Sequence, residues 1–260
     1  MDGALNAGFG DQPKTVTIDC FQDTLGSYPA GAALVAVDVI RSTTTAVTAV
    51  ATGRRCLPVS DVLEAQTVAQ SLGGALLAGE VGGGTPDGFD LTNSPADVAA
   101  RSDIGRPLVL LSSSGTKLMA AASHLSASYA ACLRNYRAQV EFLVGRHPQV
   151  VLVGAATRGE FRPEDQLCCA WIAAGLVENG YEPVGDARVL IERWSKARVQ
   201  AILESKSVAY LQSAGQIRDL EFIVGHVDDL GTVFQLWDGE VRESDWSGSW
   251  EDRTAMTASA

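Results

Sequence analysis

Short apolar runs rich in β-branched residues alternate along the chain with segments whose apolar residues recur at helical spacing. The first pattern predicts strands at Thr15–Ile18, Ala33–Ile40, Cys56–Val59, Ala75–Gly79, Pro107–Ser112, Ala127–Ala131, Gln149–Ala156 and Thr232–Trp237. The second pattern predicts helices at Ser42–Thr52, Val62–Leu72, Gly115–Ala122, Arg134–Gly145, Pro163–Asn179 and within 195–227. Such alternation predicts an α/β fold, a three-layer α/β/α sandwich around a mostly parallel or mixed sheet.

The run Ala33–Ile40 has almost no polar alternation, so both faces of this strand are expected to be covered by helices. No internal stretch rich in Pro, Gly or Ser divides the chain. We therefore expect one α/β domain over residues 1–240. The polar, small-residue segment 241–260 is expected to be a flexible tail.

The charge of the chain restricts its partners. Its 260 residues include 20 Lys and Arg but 31 Asp and Glu, a formal net charge of −11. This balance argues against a nucleic-acid partner and against an anionic membrane surface. No apolar run approaches the ~18 residues of a membrane helix, and the N-terminal segment does not resemble a signal peptide. We therefore expect a cytoplasmic protein. Five cysteines without a CxxC pair, with only three histidines, disfavour a zinc site.

Four predicted strands end in polar, charged or glycine-rich segments. In parallel sheets, ligands bind beyond the carboxyl ends of the strands. The helix starts at Ser42 and Gly115, the hydroxyls that follow Ser42, and Arg41 are all suited to an oxyanion. The same segments also carry five acids that would repel an anion unless a divalent cation lay between them; these are Asp38, Glu80, Asp90, Glu164 and Asp165. Mg²⁺ bridges carboxylates and phosphate oxygens in this way, so the pattern indicates metal-assisted phosphoester chemistry.

Five segments then occur in a fixed order: DVIRSTTTAVTA (38–49), AGE (78–80), GFDLTNSP (88–95), SSSGTKLM (112–119) and GAATRGEFRPEDQLCCA (154–170). Together they resemble the 2-phosphosulfolactate phosphatase (ComB) family, over roughly Val35 to Leu236. The resemblance implies an α/β/α fold and a Mg²⁺-dependent phosphatase of coenzyme M biosynthesis that acts on 2-phosphosulfolactate. Ser114 and Val81 stand where the family usually has Asn and Arg, so a close analogue is also a candidate substrate.

The expected site follows from these segments. Asp38, Glu80 and Asp165 are predicted to hold Mg²⁺ and, with Arg41, to be the catalytic residues. Substrate binding is predicted for Ser42, Thr43, Thr44, Asn93, Ser94, Ser114, Gly115, Thr116, Lys117 and Arg158. A metal-activated water is expected to attack phosphorus in line, while Lys117 or Arg158 offsets charge on the leaving side.

Two other functions are open at this point. A non-catalytic module that binds anions, or a metal-dependent phosphoester lyase or mutase, would use a similar set of residues. The expected partner is a small phosphorylated molecule, and a homodimer is possible.

Overall fold

The computed structural model describes residues 12–20, 28, 31–156 and 159–245. One ten-stranded sheet runs through this part of the chain. Its strands are β1 (Thr15–Asp19), β2 (Ala33–Val37), β3 (Cys56–Val59), β4 (Leu76–Gly79), β5 (Leu108–Leu111), β6 (Ser128–Ala131), β7 (Gln149–Gly154), β8 (Glu182–Val184), β9 (Phe234–Trp237) and β10 (Glu240–Glu243).

Helices pack on this sheet. They are α1 (Ser42–Ala51), α2 (Val62–Ser71), α3 (Pro95–Ala99), α4 (Gly115–Ala122), α5 (Tyr136–Leu143), α6 (Pro163–Glu178), α7 (Ala187–Trp194), α8 (Lys206–Ser213) and α9 (Ile217–Gly225), with a 3₁₀ turn at Val199–Ile202. The predicted α/β class with a mixed sheet is confirmed. Within the described ranges, no helix is long and apolar enough to cross a membrane.

The strand order is β4-β5-β3-β10-β9-β6-β2-β7-β1-β8. The strands β4, β5 and β3 pair in parallel, and so do β6, β2, β7, β1 and β8. The pairs β3/β10, β10/β9 and β9/β6 are antiparallel. Because three successive pairs reverse direction, the two parallel blocks run in opposite directions. The carboxyl ends of the parallel strands therefore do not all lie along one edge of the sheet.

Both faces of β2 are covered, as the uninterrupted apolar run predicted. Val35 and Val37 pack into a core cluster with residues of α5 and α6, and Leu34 and Ala36 pack into a second cluster with residues of α1 and α4. Fully burying a Val or Leu side chain contributes about 1.5–3 kcal/mol. Helix α1 contacts β3 and β5 of one block and β6 of the other, so it connects the two blocks.

Several elements had no clear signal in the sequence. The strand β8 is a three-residue edge containing Pro183, and α3 has only five residues. In β10, Val241 is the single apolar residue. This strand nevertheless continues the sheet to residue 243, past the predicted boundary at residue 240. Residues 246–260, which make up most of the predicted tail 241–260, lie outside the described residues, so that prediction stands untested.

Candidate active site

A cleft of about 470 Å³ is lined by segments that follow strands of both blocks. It is lined by residues of the loop between β2 and α1, of the segments after β4 and β5, and of α8, together with Asn93 and Arg162. The full set is Asp38, Ile40, Arg41, Ser42, Glu80, Gly82, Gly83, Asn93, Ser112, Ser113, Ser114, Arg162, Lys206, Ser207, Tyr210 and Leu211. Six of the predicted site residues therefore line one cavity: Asp38, Arg41, Ser42, Glu80, Asn93 and Ser114. Gly115 does not line it but packs against Asp38.

The first turn of α1 is held by its own hydroxyls. Thr43 Oγ1 accepts from the Asp38 amide at 2.9 Å and donates to the Asp38 carbonyl at 2.8 Å. Thr44 Oγ1 donates to the Val39 carbonyl at 2.8 Å. Short hydroxyl side chains often satisfy the backbone in this way at helix starts. The structure does not bring the Thr43 and Thr44 side chains to the cleft, where the sequence analysis expected them to bind substrate.

The start of α4 approaches Asp38 closely. A Cβ atom built on Gly115 would overlap Asp38 Oδ2 and would lie 2.7 Å from both Cβ and Oγ of Ser42. Only a residue without a side chain fits between these groups. Gly115 therefore serves close packing of α4 against the loop that carries Asp38.

A buried polar network connects α1 with α4. Ser42 Oγ donates to Ser112 Oγ at 2.7 Å, and Asn93 Nδ2 donates to Ser42 Oγ at 3.2 Å. Thr116 donates through its amide to Ser112 Oγ at 3.0 Å, and its hydroxyl accepts from the Ser112 amide. The Thr116 hydroxyl is thus used inside the protein and does not line the cleft. Asn93 Oδ1 is buried without a hydrogen-bond partner in the described part of the chain.

Three donors orient the Glu80 carboxylate. Ser113 donates through its amide to Oε1 at 2.8 Å and through its hydroxyl to Oε2 at 3.0 Å, and the Gly83 amide donates to Oε2 at 2.8 Å. Gly82 and Gly83 both have positive φ, +61° and +94°, inside a tight turn that favours glycine at these positions. Tyr210 of α8 donates to the Gly83 carbonyl at 2.6 Å and so connects this turn to α8.

Arg41 is buried and forms an ion pair with a residue that the sequence analysis missed. Its Nη1 donates to Asp219 Oδ2 at 2.6 Å, and both side chains are at most 5% exposed. Asp219 Oδ1 in turn accepts from Ser94 Oγ at 2.5 Å. Ser94 Oγ also caps α3 by accepting from the Asp97 amide, so this side chain is not directed at the cleft. No local pattern marks Asp219, because it lies 178 residues from Arg41 in the sequence.

Buried acids surround Asp38. Burial is the main cause that raises the pKa of Asp38 to about 6, and hydrogen bonds from Ser42 oppose this rise. The charges of Glu164 and Glu80 raise the pKa further. Burial also raises the pKa of Asp165 well above its ordinary value, and the charges of Asp38 and Glu164 add to that shift. Asp165 Oδ1 accepts from the Val39 amide at 2.8 Å and is not among the residues that line the cleft.

Glu164 is the least satisfied acid of this group. Burial raises its pKa, against an opposing effect of the Ser207 and Ser205 hydroxyls. Yet neither carboxylate oxygen has a partner at normal hydrogen-bond geometry among the described residues. Buried, unpaired carboxylate oxygens are costly in the absence of a cation.

The described residues contain no group of three or more His, Cys, Asp or Glu side chains arranged to hold a metal ion. The predicted trio is therefore not assembled as one cluster: Asp38 and Glu80 share the cleft, and Asp165 lies behind Asp38. Mg²⁺ needs only one or two carboxylates because it keeps several waters. The carboxylate oxygens of Asp38 and Glu80, which share the cleft, fit this requirement.

Helices α6 and α8 form the other margin of the cleft. Arg162, directly before α6, forms an ion pair with Glu160 at 2.8 Å, and Lys206 of α8 forms an ion pair with the same acid at 2.5 Å. The sequence analysis did not select any of these three residues. The predicted Lys117 is exposed and does not line the cleft, and Arg158 lies outside the described residues.

Comparison with known proteins places the sequence in a family. A family model described as 2-phosphosulpholactate phosphatase matches residues 22–237. The chain belongs to the 2-phosphosulfolactate phosphatase family. Its relatives include a "2-phosphosulfolactate phosphatase" of Methanothermobacter thermautotrophicus, 32% identical over 75% of this chain and 84% of that protein.

Two further relatives carry the name "Probable 2-phosphosulfolactate phosphatase". The protein of Pseudothermotoga lettingae is 33% identical over 72% of this chain and 82% of its own length. The protein of Carboxydothermus hydrogenoformans is 36% identical over 56% of this chain, and the matched part spans 61% of that relative. The family membership that the five ordered segments predicted is confirmed.

Proposed function

We propose that the protein is a Mg²⁺-dependent phosphatase that hydrolyses 2-phosphosulfolactate, or a close analogue, to the hydroxy acid and phosphate. The observation that carries this proposal is the composition of the cleft. Asp38 and Glu80 lie in one cavity with a buried arginine, Arg41, and the names of the relatives supply the substrate class.

Arg41 would bind the phosphoryl group. Asp219 engages Nη1 and fixes the guanidinium on the wall of the cleft. The donors of Nη2 and Nε have no partner in the described part of the chain, which leaves them for oxygens of the ester. A fixed, buried guanidinium binds an oxyanion more strongly than one in water does, because the local dielectric is low.

Asp38 and Glu80 would hold Mg²⁺, and Glu164 would add negative charge behind Asp38. When bound, Mg²⁺ would offset the charge of the phosphoryl oxygens and polarise the phosphorus. The three donors to Glu80 hold this carboxylate in one orientation before Mg²⁺ binds. The Ser42–Ser112 hydrogen bond links the start of α1, close to Asp38 in the chain, to the segment after β5, whose Ser113 holds Glu80.

The direct test is phosphate release by the purified protein from 2-phosphosulfolactate, 2-phospholactate and p-nitrophenyl phosphate, with Mg²⁺ and with EDTA. We expect release from the first two substrates only with Mg²⁺. Asp38→Asn should lower the rate by at least ~100-fold while keeping the fold, because it removes a buried charge. Asp87→Asn is the matched control, since Asp87 is exposed and does not line the cleft.

No release from any substrate with Mg²⁺ present would contradict the proposal. Stabilisation by phosphate without a metal requirement, together with absent turnover, would favour the anion-binding module. A product that is unsaturated, or that keeps the phosphate at another oxygen, would favour the lyase or the mutase.

A further inference from the structure

One acid bridges two basic side chains at the α6–α8 margin of the cleft. Glu160 Oε2 accepts from Arg162 Nη1 at 2.8 Å, and Glu160 Oε1 lies 2.5 Å from Lys206 Nζ. Arg162 and Lys206 both line the cleft, and Glu160 does not. One carboxylate thus contributes one oxygen to each of two cations that face the cavity.

The two sides of this bridge differ in how firmly they are held. The Arg162 side chain is only 12% exposed, whereas Glu160 is 50% and Lys206 73% exposed. Nε of Arg162 is buried and has no partner within the described ranges. Because the Arg162 side chain is mostly buried and paired with Glu160, it has little freedom to move before a ligand binds. An exposed ion pair such as Glu160–Lys206 contributes little stability, so a ligand anion can replace Glu160 at low cost.

We propose that Arg162 and Lys206 form a second anion subsite, which takes the carboxylate or sulfonate of the substrate, and that Glu160 occupies it in the free protein. The inference rests on the proposed function, because it assigns the phosphoryl group to the wall with Asp38 and Arg41. Two oxygens of a carboxylate or sulfonate could pair with Arg162 and Lys206, one oxygen to each, as the two oxygens of Glu160 do in the free protein.

The chemistry of the two walls supports this division. The wall of α1 and the β4 and β5 ends carries the acids Asp38 and Glu80, which suit a cation and the group it neutralises. The α6–α8 margin carries two cations and the Ser207 hydroxyl. A small molecule with an anionic group at each end would place one at each wall, and a phosphoester without a second anion would leave Arg162 and Lys206 bridged by Glu160.

The test measures binding separately from turnover, by calorimetric titration with 3-sulfolactate and with lactate, neither of which carries a phosphate. Lys206→Gln should weaken sulfolactate binding by about tenfold, and Glu160→Gln should strengthen it several-fold because the internal competitor loses its charge. Lys196→Gln is the matched control, since Lys196 is exposed and does not line the cleft. Equal effects on lactate would identify the bound group as the carboxylate; effects confined to sulfolactate would identify it as the sulfonate.

Arg162→Gln gives a second measurement, with circular dichroism to check folding. Loss of sulfolactate binding in a folded variant supports the subsite. Sulfolactate binding that is unchanged in both Lys206→Gln and Glu160→Gln, or absent in the wild type, would overturn the subsite even if phosphate is released. Conversely, normal sulfolactate binding with no phosphate release from any ester would refute the phosphatase proposal and leave the subsite standing.

Discussion

Replacement of Gly115 by Ala tests whether the site depends on the close approach of α4 to Asp38. Helix propensity alone predicts the opposite sign, because Ala is favoured over Gly by up to ~1 kcal/mol inside a helix. In this structure the added Cβ would overlap Asp38 Oδ2 and lie 2.7 Å from Ser42 Oγ and Cβ. Gly115 has no positive φ, so the conflict is one of packing and not of backbone conformation.

The magnitude follows from the contact distances. Non-bonded carbon atoms sit about 3.5–4.0 Å apart, so the Ser42 side chain must move away by nearly 1 Å. Overpacking of this kind costs about 1–3 kcal/mol. We expect a net loss of about 1–2 kcal/mol in the free energy of unfolding after the gain in propensity. A shift of ~1 Å in Asp38 should lower kcat/KM by about 100-fold.

Urea unfolding and phosphate release from 2-phosphosulfolactate measure the two effects. Gly105→Ala is the matched control, because a Cβ there meets no atom within 4 Å and Gly105 has no positive φ. The control should change neither quantity appreciably. If Gly115→Ala unfolds at the same or a higher urea concentration than the wild type and keeps its rate, the packing argument is refuted.

Three further predictions concern stability, pH and thiols. Gly79→Ala should lower the free energy of unfolding by about 1–3 kcal/mol, as measured in urea, because its Cβ would overlap the Leu111 carbonyl oxygen across the β4–β5 pair; an unchanged unfolding midpoint would contradict this. In EDTA at pH 7, the free energy of unfolding of the wild type should be lower than that of Asp38→Asn by up to about 3 kcal/mol. Because folding raises the pKa of Asp38 to about 6, this difference should be absent below about pH 4, where the carboxyl is protonated in both states, and should reach its full size as pH rises through about 6. A pH-independent difference between the two proteins would exclude this account, and added Mg²⁺ should narrow the difference at pH 7. With Ellman's reagent, only Cys20 of the five thiols should react readily in the native protein, because it is partly exposed while the other four are buried; fast reaction of two or more would contradict the described burial.

The sequence predicted most of the elements because their signals are local. The fully apolar run of β2 and the cap of α2, where Asp61 accepts from the Glu64 amide, are both readable from adjacent residues. The direction of the strands is not local. It depends on the β9–β10 hairpin, which inserts between β3 and β6. The strand β10 has a single apolar residue, so its sequence carries almost no strand pattern.

The sequence likewise predicted those site residues whose signal is local. Asp38, Arg41 and Glu80 follow strands, so their position at a strand end marks them as candidates. Thr43 has the same appearance in the sequence as Ser42, yet its hydroxyl bonds to the backbone of Asp38, whereas Ser42 lines the cleft. Side-chain direction within a turn depends on backbone angles that the sequence does not reveal. Asp219 could be found only from the fold, since its partner is distant in the chain.

The pairing of charges connects the two proposals. Each basic side chain that lines the cleft already holds an acid: Arg41 holds Asp219, and Arg162 and Lys206 hold Glu160. The acids Asp38 and Glu80 lie in the same cavity, so the free cleft offers little net attraction to a substrate with several negative charges. Such a substrate gains affinity only if a cation offsets the acids or if Glu160 withdraws. Asp219 is too deeply buried to leave without stranding a charge, so the exposed Glu160 is the acid that can give way.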